Sequence, residues 1–252
     1  MTLNGKVALI TGGGQGVGRG IALALARQGA DVALMGRTQE TLDKVVPEIE
    51  AIGRRAFATT GNVRSAADLA QLVDRTVDAL GGIDILVNNA QEVPLGALLE
   101  VEDEAFAGGF ESGPLAAFRL MRLVQPVMKA RGGGVIFNLV TSAGVRWNMA
   151  GYGTYGAIKQ AMRNLTRAAA AEWGTDGIRV LSIAPLAMSP GMEGWIKGSP
   201  DEAAAYFQTI PLGRVGDCEE DIGRGVAALA SDDLRYLTGA TIPLDGGQAN
   251  FD

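Results

Sequence analysis

Tyr155 and Lys159 lie four residues apart in Gly153-Thr-Tyr-Gly-Ala-Ile-Lys159, inside an alanine-rich helical pattern. That spacing puts both side chains on one helix face. An ammonium close to a phenol favours the phenolate, so the tyrosine is expected to titrate below its ordinary value of about 10. A hydroxyl so placed is a candidate general acid/base. The chain has no histidine and one cysteine, Cys218. Ser-His-Asp chemistry, histidine-ligated metals, cysteine-rich metal sites and an internal disulfide are therefore excluded, and no metal is expected.

The elements that must position this pair are legible as alternation. Short apolar runs suggest strands near 7–10, 31–35, 55–60, 83–88, 134–140, 179–183 and 240–244. Helical patterns occupy 17–29, 39–52, 66–80, 102–130, 153–174 and 218–231. Runs such as Val7-Ala-Leu-Ile10 suit strands covered on both faces. Strand–helix alternation predicts right-handed crossovers and an α/β fold, a doubly wound parallel sheet of seven strands flanked by helices. At 252 residues, 47% hydrophobic, one domain spanning 1–252 is expected. One segment, 187–213, breaks the rhythm with Pro190, Pro200 and Pro211. Its Met192, Trp195, Ile196, Tyr206 and Phe207 suit a substrate lid better than a merely solvated loop.

Net charge is −6 with no basic block, which argues against nucleic acid and anionic membrane as partners. No charged and apolar leader opens the chain and no uncharged apolar run reaches membrane-spanning length. A cytoplasmic protein is the expectation.

The first strand runs into Thr11-Gly-Gly-Gly-Gln15-Gly-Val-Gly18 and then a helix. Glycines there allow a tight turn and let backbone N–H groups approach a pyrophosphate at a helix N-terminus. Thr11-Gly12-x-x-x-Gly16-x-Gly18, Asn88-Asn89-Ala90, Tyr155-x-x-x-Lys159 and Tyr236-Leu-Thr-Gly-Ala-Thr-Ile-Pro-Leu-Asp-Gly-Gly247 occur in order across the chain. In these motifs and their spacing the chain resembles the short-chain dehydrogenase/reductase family.

The resemblance implies a Rossmann domain, hydride transfer to or from a nicotinamide, and a homotetramer or homodimer, with the long helices near 102–130 and 153–174 forming the interface. Gly12, Gln15, Gly16, Val17 and Gly18 would meet the cofactor phosphates. Asn62 and Val63 match the family's adenine-binding pair, an asparagine carbonyl standing for the usual acid. Asn88, Asn89 and Ala90 would line the ribose side, and Pro185 and Ser189 the nicotinamide end. After the second strand the chain offers Gly36 and Arg37 in place of an acid, which suits the 2′-phosphate of NADP(H) over NAD(H).

The family's serine, which holds the substrate oxygen, has two candidates. A separation of 13 residues from the tyrosine selects Ser142, while counting back from Ala143-Gly144 selects Thr141. The asparagine that normally holds a proton-relay water falls at Gly113. The glycine after Asn-Asn-Ala is Gln91, which lacks glycine's freedom at positive φ and is expected to alter that turn. Gln91, Trp147, Met149, Met192 and Trp195 are the candidate substrate pocket. An NADP(H)-dependent oxidoreductase acting on an apolar small carbonyl compound or secondary alcohol is the leading expectation. A dinucleotide-binding protein with a regulatory or non-redox role is the alternative.

Overall fold

The computed structural model describes residues 1–145 and 149–249. Its centre is a sheet of seven parallel strands in the order β3-β2-β1-β4-β5-β6-β7. They are β1 (Val7–Thr11), β2 (Asp31–Gly36), β3 (Ala56–Thr60), β4 (Ile85–Asn88), β5 (Gly134–Leu139), β6 (Ile178–Pro185) and β7 (Thr241–Leu244). The helices are α1 (Gly16–Arg27), α2 (Gln39–Ala51), α3 (Ala66–Leu80), α4 (Asp103–Phe110), α5 (Ala116–Ala130), α6 (Gly153–Trp173), α7 (Pro190–Gly198), α8 (Pro200–Phe207) and α9 (Arg224–Ala230).

The central strands are buried on both faces because their residues are apolar without alternation. Alternate side chains of β1 enter opposite layers: Ala8 and Ile10 pack beneath α1, Val7 and Leu9 beneath α3 and α5. Strand order reverses between β1 and β4, which leaves a crevice beyond their carboxyl ends. Hydrogen bonds fasten the two strand ends. Thr11 Oγ1 accepts from the backbone N–H groups of Asn89 and Ala90, both at 3.1 Å. The Asn89 amide donates to the carbonyls of Thr11 at 3.0 Å and Gly12 at 3.1 Å.

A second polar seam seats α6 on the sheet. The Asn88 amide donates to Asn138 at 2.8 Å, and Asn138 donates to Thr166 Oγ1 at 2.9 Å. Ser182 also donates to that oxygen at 2.9 Å. Four side chains from β4, β5, β6 and α6 are thus satisfied in a dry interior, where leaving any one unpaired would cost about 1–3 kcal/mol.

Two helices expected to be continuous are interrupted. The pattern over 102–130 divides into α4 and α5 around a π turn, Glu111–Leu115. Pro114 lies in that turn and has no N–H to donate, so the regular ladder cannot pass through it. The pattern over 218–231 begins as a π turn, Cys218–Gly223, where the α1 backbone at Gly20 lies directly against the Cys218 carbonyl. The 187–213 segment folds into α7 and α8, joined by edge-to-face contacts of Trp195 with Tyr206 at 5.5 Å and Phe207 at 6.3 Å. No helix among the described residues is long and apolar enough to cross a membrane.

Candidate active site

A cavity of about 520 Å³ lies beyond the carboxyl ends of β1, β2, β4, β5 and β6. Its floor is the glycine turn. Gly12 has φ +67° and Gly16 φ +54°, conformations that favour glycine. A Cβ on Gly12 would stand 2.7 Å from the Asn89 amide nitrogen, and one on Gly18 would strike the Gly12 carbonyl oxygen. The bare backbone is therefore required both by the turn and by the close approach of β4. Helix α1 begins at Gly16 with no side-chain cap and no acid in its first turn, so its N–H groups and positive end face the cavity. Turn, helix end and volume together fit a dinucleotide pyrophosphate.

Gln15, Gly16, Val17, Arg37, Asn62, Val63, Asn89, Ala90, Tyr155, Lys159, Pro185 and Ser189 all line this cavity, as does Gly12. Gly18 does not; it is buried behind the turn, where its lack of a side chain admits Gly12 and Asn89. Asn88, expected beside the ribose, is turned into the polar seam with Asn138. The Asn62 carbonyl oxygen accepts from the Arg64 N–H at 3.0 Å, and the Asn62 N–H donates to Asp68 at 2.8 Å. These bonds hold the turn and leave the oxygen's second lone pair available.

Helix α6 delivers Tyr155 and Lys159 together, as their spacing predicts. The expectation that the ammonium depresses the phenol is overturned. Burial pushes the Tyr155 hydroxyl up to about 12, against which a hydrogen bond from Thr141 pulls only partly downward. Burial pushes the Lys159 amine down to about 7. The Lys159 Nζ donates to the Leu139 carbonyl at 2.6 Å and stands 5.6 Å from the centre of the Tyr155 ring. Loss of solvent is the largest cause of both shifts, and neither group contributes to the other's.

Of the two hydroxyls after β5, the structure brings Thr141 to Tyr155. Thr141 lines the cavity beside Tyr155 and acts to lower the phenol's pKa, while its Oγ1 accepts from the Ala143 N–H at 3.2 Å. That bond leaves the threonine proton free to face the tyrosine. Ser142, the residue selected by counting from Tyr155, is buried at the start of a 3₁₀ turn (Ser142–Val145) and does not line the cavity.

The expected substrate pocket divides. Gln91 and Met192 line the cavity. Met149 does not; its methyl packs over Gly156, so it supports the first turn of α6. Trp195 does not either, being used in the aromatic contacts between α7 and α8. Trp147 lies outside the described residues. Gln91 keeps an ordinary backbone, since no described non-glycine residue has positive φ, so the turn after β4 does not call for glycine at this position.

Glu92, Thr41, Ser112 and Leu139 also line the cavity and were missed from sequence. Glu92 is its one carboxylate among the described residues and stands 3.7 Å from Arg37 and 3.5 Å from Arg64. Arg64 in turn pairs with Glu111 of the π turn. Only the adjacency of Glu92 to Asn-Asn-Ala-Gln could have signalled it.

Residues 12–249 match the family model described as enoyl-(acyl carrier protein) reductase. A 12α-hydroxysteroid dehydrogenase from Clostridium sp. is 38% identical, over 97% of this chain and 96% of that protein. A 3-oxoacyl-[acyl-carrier-protein] reductase from Staphylococcus epidermidis is 34% identical, over 96% of this chain and 98% of its own. Among solved structures, a 7α-hydroxysteroid dehydrogenase complexed with NADH and 7-oxo glycochenodeoxycholic acid superposes with a TM-score of 0.93 at 32% identity. It covers 98% of this chain and 95% of that one.

Proposed function

The chain belongs to the short-chain dehydrogenase/reductase family and is an NAD(P)-dependent oxidoreductase. From that premise we propose that it interconverts a carbonyl and a secondary alcohol on an apolar small molecule, using NADP(H) in preference to NAD(H). The observation that carries this reading is that Tyr155, Lys159 and Thr141 line one cavity together with the glycine turn.

The nicotinamide cofactor, when bound, supplies or accepts the hydride. Of the residues lining the cavity, Gly12, Gln15, Gly16 and Val17 would hold its phosphates; Asn62 and Val63 the adenine; Asn89 and Ala90 the ribose side; Pro185 and Ser189 the nicotinamide end. Tyr155, protonated far above neutrality, gives its proton to the carbonyl oxygen during reduction. Thr141 orients that oxygen and stabilises the charge it develops. Lys159, poised near neutrality, carries positive charge beside the phenol when protonated and recharges it. Support for NADP(H) comes from Arg37 at the cavity wall and from Gly36 in place of an acid at the end of β2.

Apolarity of the substrate rests on Val93, Leu139, Leu186 and Met192 at the wall, and on the resemblance to two hydroxysteroid dehydrogenases. Segment 187–213 acts as the lid, α7 bringing Met192 over the cavity while the aromatic contacts stiffen its pair with α8. Assembly as a homodimer or homotetramer through α4 and α5 accounts for the exposed Phe106 and Phe118 on them and Leu115 between them. Light scattering tests that assembly.

The decisive experiment screens steroidal, alicyclic, aliphatic and aromatic ketones and 3-oxoacyl thioesters against NADPH and NADH, following nicotinamide absorbance. Turnover of an apolar ketone with NADPH favoured is the expected result. Absence of any turnover across the panel would overturn the reading.

A further inference from the structure

The two carboxylate oxygens of Glu92 face two different arginines. Oε1 stands 3.7 Å from Nη1 of Arg37, and Oε2 stands 3.5 Å from Nη1 of Arg64. Neither approach is short enough for a good hydrogen bond, so the carboxylate is shared between the two cations and committed to neither. The arginines differ in what else holds them. Arg37 is mostly exposed and makes no hydrogen bond among the described residues. Arg64 is built in. Its Nε donates to Glu111 Oε2 at 2.7 Å and its Nη2 stands 2.5 Å from the same oxygen. Its backbone N–H donates to Asn62 Oδ1 at 3.0 Å, and its carbonyl accepts from Arg119 at 3.0 Å.

The backbone of Glu92 is pinned as well. Its N–H donates to Ser112 Oγ at 3.0 Å, and that hydroxyl donates to the Gly108 carbonyl at 2.7 Å. A Cβ on Gly108 would stand 2.9 Å from Glu92 Oε2 and 3.5 Å from Arg64 Nη1. The bare backbone at 108 thus leaves the room in which this carboxylate and the Arg64 guanidinium meet. A phosphate brought to Arg37 finds a carboxylate beside the same guanidinium, and two anions on one cation repel. The carboxylate must withdraw before the phosphate can take the guanidinium fork. A shift of roughly 0.7 Å toward Arg64 would give it a charge-assisted hydrogen bond there.

We propose that Arg64 is a positioning residue for cofactor selection: it draws the Glu92 carboxylate off Arg37 and so opens Arg37 to a 2′-phosphate. The inference rests on the NADP(H) reading and adds to it the pair, Glu92 and Arg64, that sets how strongly the phosphate is preferred. A cofactor without the phosphate leaves the carboxylate shared, so its binding does not depend on Arg64.

The test is a double-mutant cycle on Arg64 and Glu92, followed by steady-state kinetics with NADPH and NADH at one ionic strength. Arg64→Met leaves Glu92 with Arg37 alone and is expected to raise KM for NADPH about threefold to fivefold, the scale of an exposed ion pair. KM for NADH should stay within about 1.5-fold, which separates this role from a merely structural one. In a Glu92→Gln background no carboxylate competes, and the same Arg64→Met change should move KM for NADPH by less than about 1.5-fold. An equal rise in both backgrounds would mean that Arg64 acts on the phosphate directly, and would overturn the proposal. So would an equal loss with both cofactors. A wild type that favours NADH would sink the NADP(H) reading and this inference with it. A wild type that favours NADPH beside an unaffected Arg64→Met variant would sink this inference alone.

Discussion

The Lys159 Nζ donates to the Leu139 carbonyl at 2.6 Å, so the amine that serves Tyr155 also ties α6 to the last residue of β5. Burial at that junction takes the amine down to about 7, against 10.5 in an unstructured chain. Between those values the unfolded chain binds more protons than the folded one, so stability rises with pH across that window. Below it, the fold carries the cost of a buried charge. Lys159→Met should therefore raise the Tm of the cofactor-free protein at pH 6 and flatten the rise between pH 7 and 10. Calorimetric scans at several pH values check this; an unchanged Tm profile would refute the desolvation argument. Tyr155, raised to about 12 from 10, adds an opposing fall only above pH 10.

The same order of affinities sets the activity profile. Ketone reduction needs a protonated Tyr155 and is helped by a charged Lys159, so kcat/KM should decline as pH rises above about 7. Tyr155→Phe should lower kcat by about 10²-fold or more while calorimetry finds cofactor affinity nearly unchanged. Retained turnover would remove Tyr155 from the chemistry.

Thr141 and Ser142 give opposite expectations. Thr141→Ala removes the hydroxyl that acts on Tyr155 at the cavity wall and should cost about 10²-fold in kcat, with Thr141→Ser recovering most of it. Ser142→Ala lies outside the cavity and should stay within about threefold of wild type. Equal loss from both alanine variants would contradict the geometry.

Arg37 and Glu92 oppose one another at the cavity wall, 3.7 Å apart. Arg37→Leu should raise KM for NADPH roughly tenfold by removing a charged phosphate donor, leaving NADH little changed. Glu92→Gln should lower KM for NADPH by removing the competing carboxylate. Steady-state kinetics with both cofactors decide it; an Arg37→Leu enzyme that still favours NADPH would reject the assignment.

Gly20 lies against the Cys218 carbonyl and the Glu219 N–H, so a methyl there meets backbone that cannot yield. Gly20→Ala should destabilise the fold by about 1–3 kcal/mol, read from urea denaturation. A neutral result would mean that α1 can shift away from the π turn beneath it.

Much of the sheet was readable in advance because its central strands are buried on both faces and write apolar runs, as Val7–Thr11 and Ile85–Asn88 do. Val7–Thr11 and Asp31–Gly36 differ from expectation by one residue at their ends. Helix α3 matches its expected bounds of 66–80, with Ser65 capping it by accepting from the Asp68 N–H and Gly81 ending it in the left-handed region. The break at Glu111–Leu115 was hidden, since Gly113 and Pro114 interrupt a helical pattern without stating which way the chain will bulge. Within the site, motif spacing located Tyr155, Lys159 and the glycine turn. It left the serine's role open between Ser142 and Thr141, of which only Thr141 lines the cavity, and it gave Trp195 and Met149 to a pocket they do not line.

The sequence by itself determined the alternation of elements, the glycine turn at the first switch and the delivery of Tyr155 and Lys159 on one helix face. Those follow from periodicity and steric freedom, which are properties of neighbouring residues. Only the tertiary structure decided that Thr141 and not Ser142 lines the cavity beside the phenol, that Tyr155 holds its proton more tightly than Lys159, and that Glu92 stands between Arg37 and Arg64. Each depends on desolvation and contact summed over segments far apart in the chain, and no local pattern records that sum.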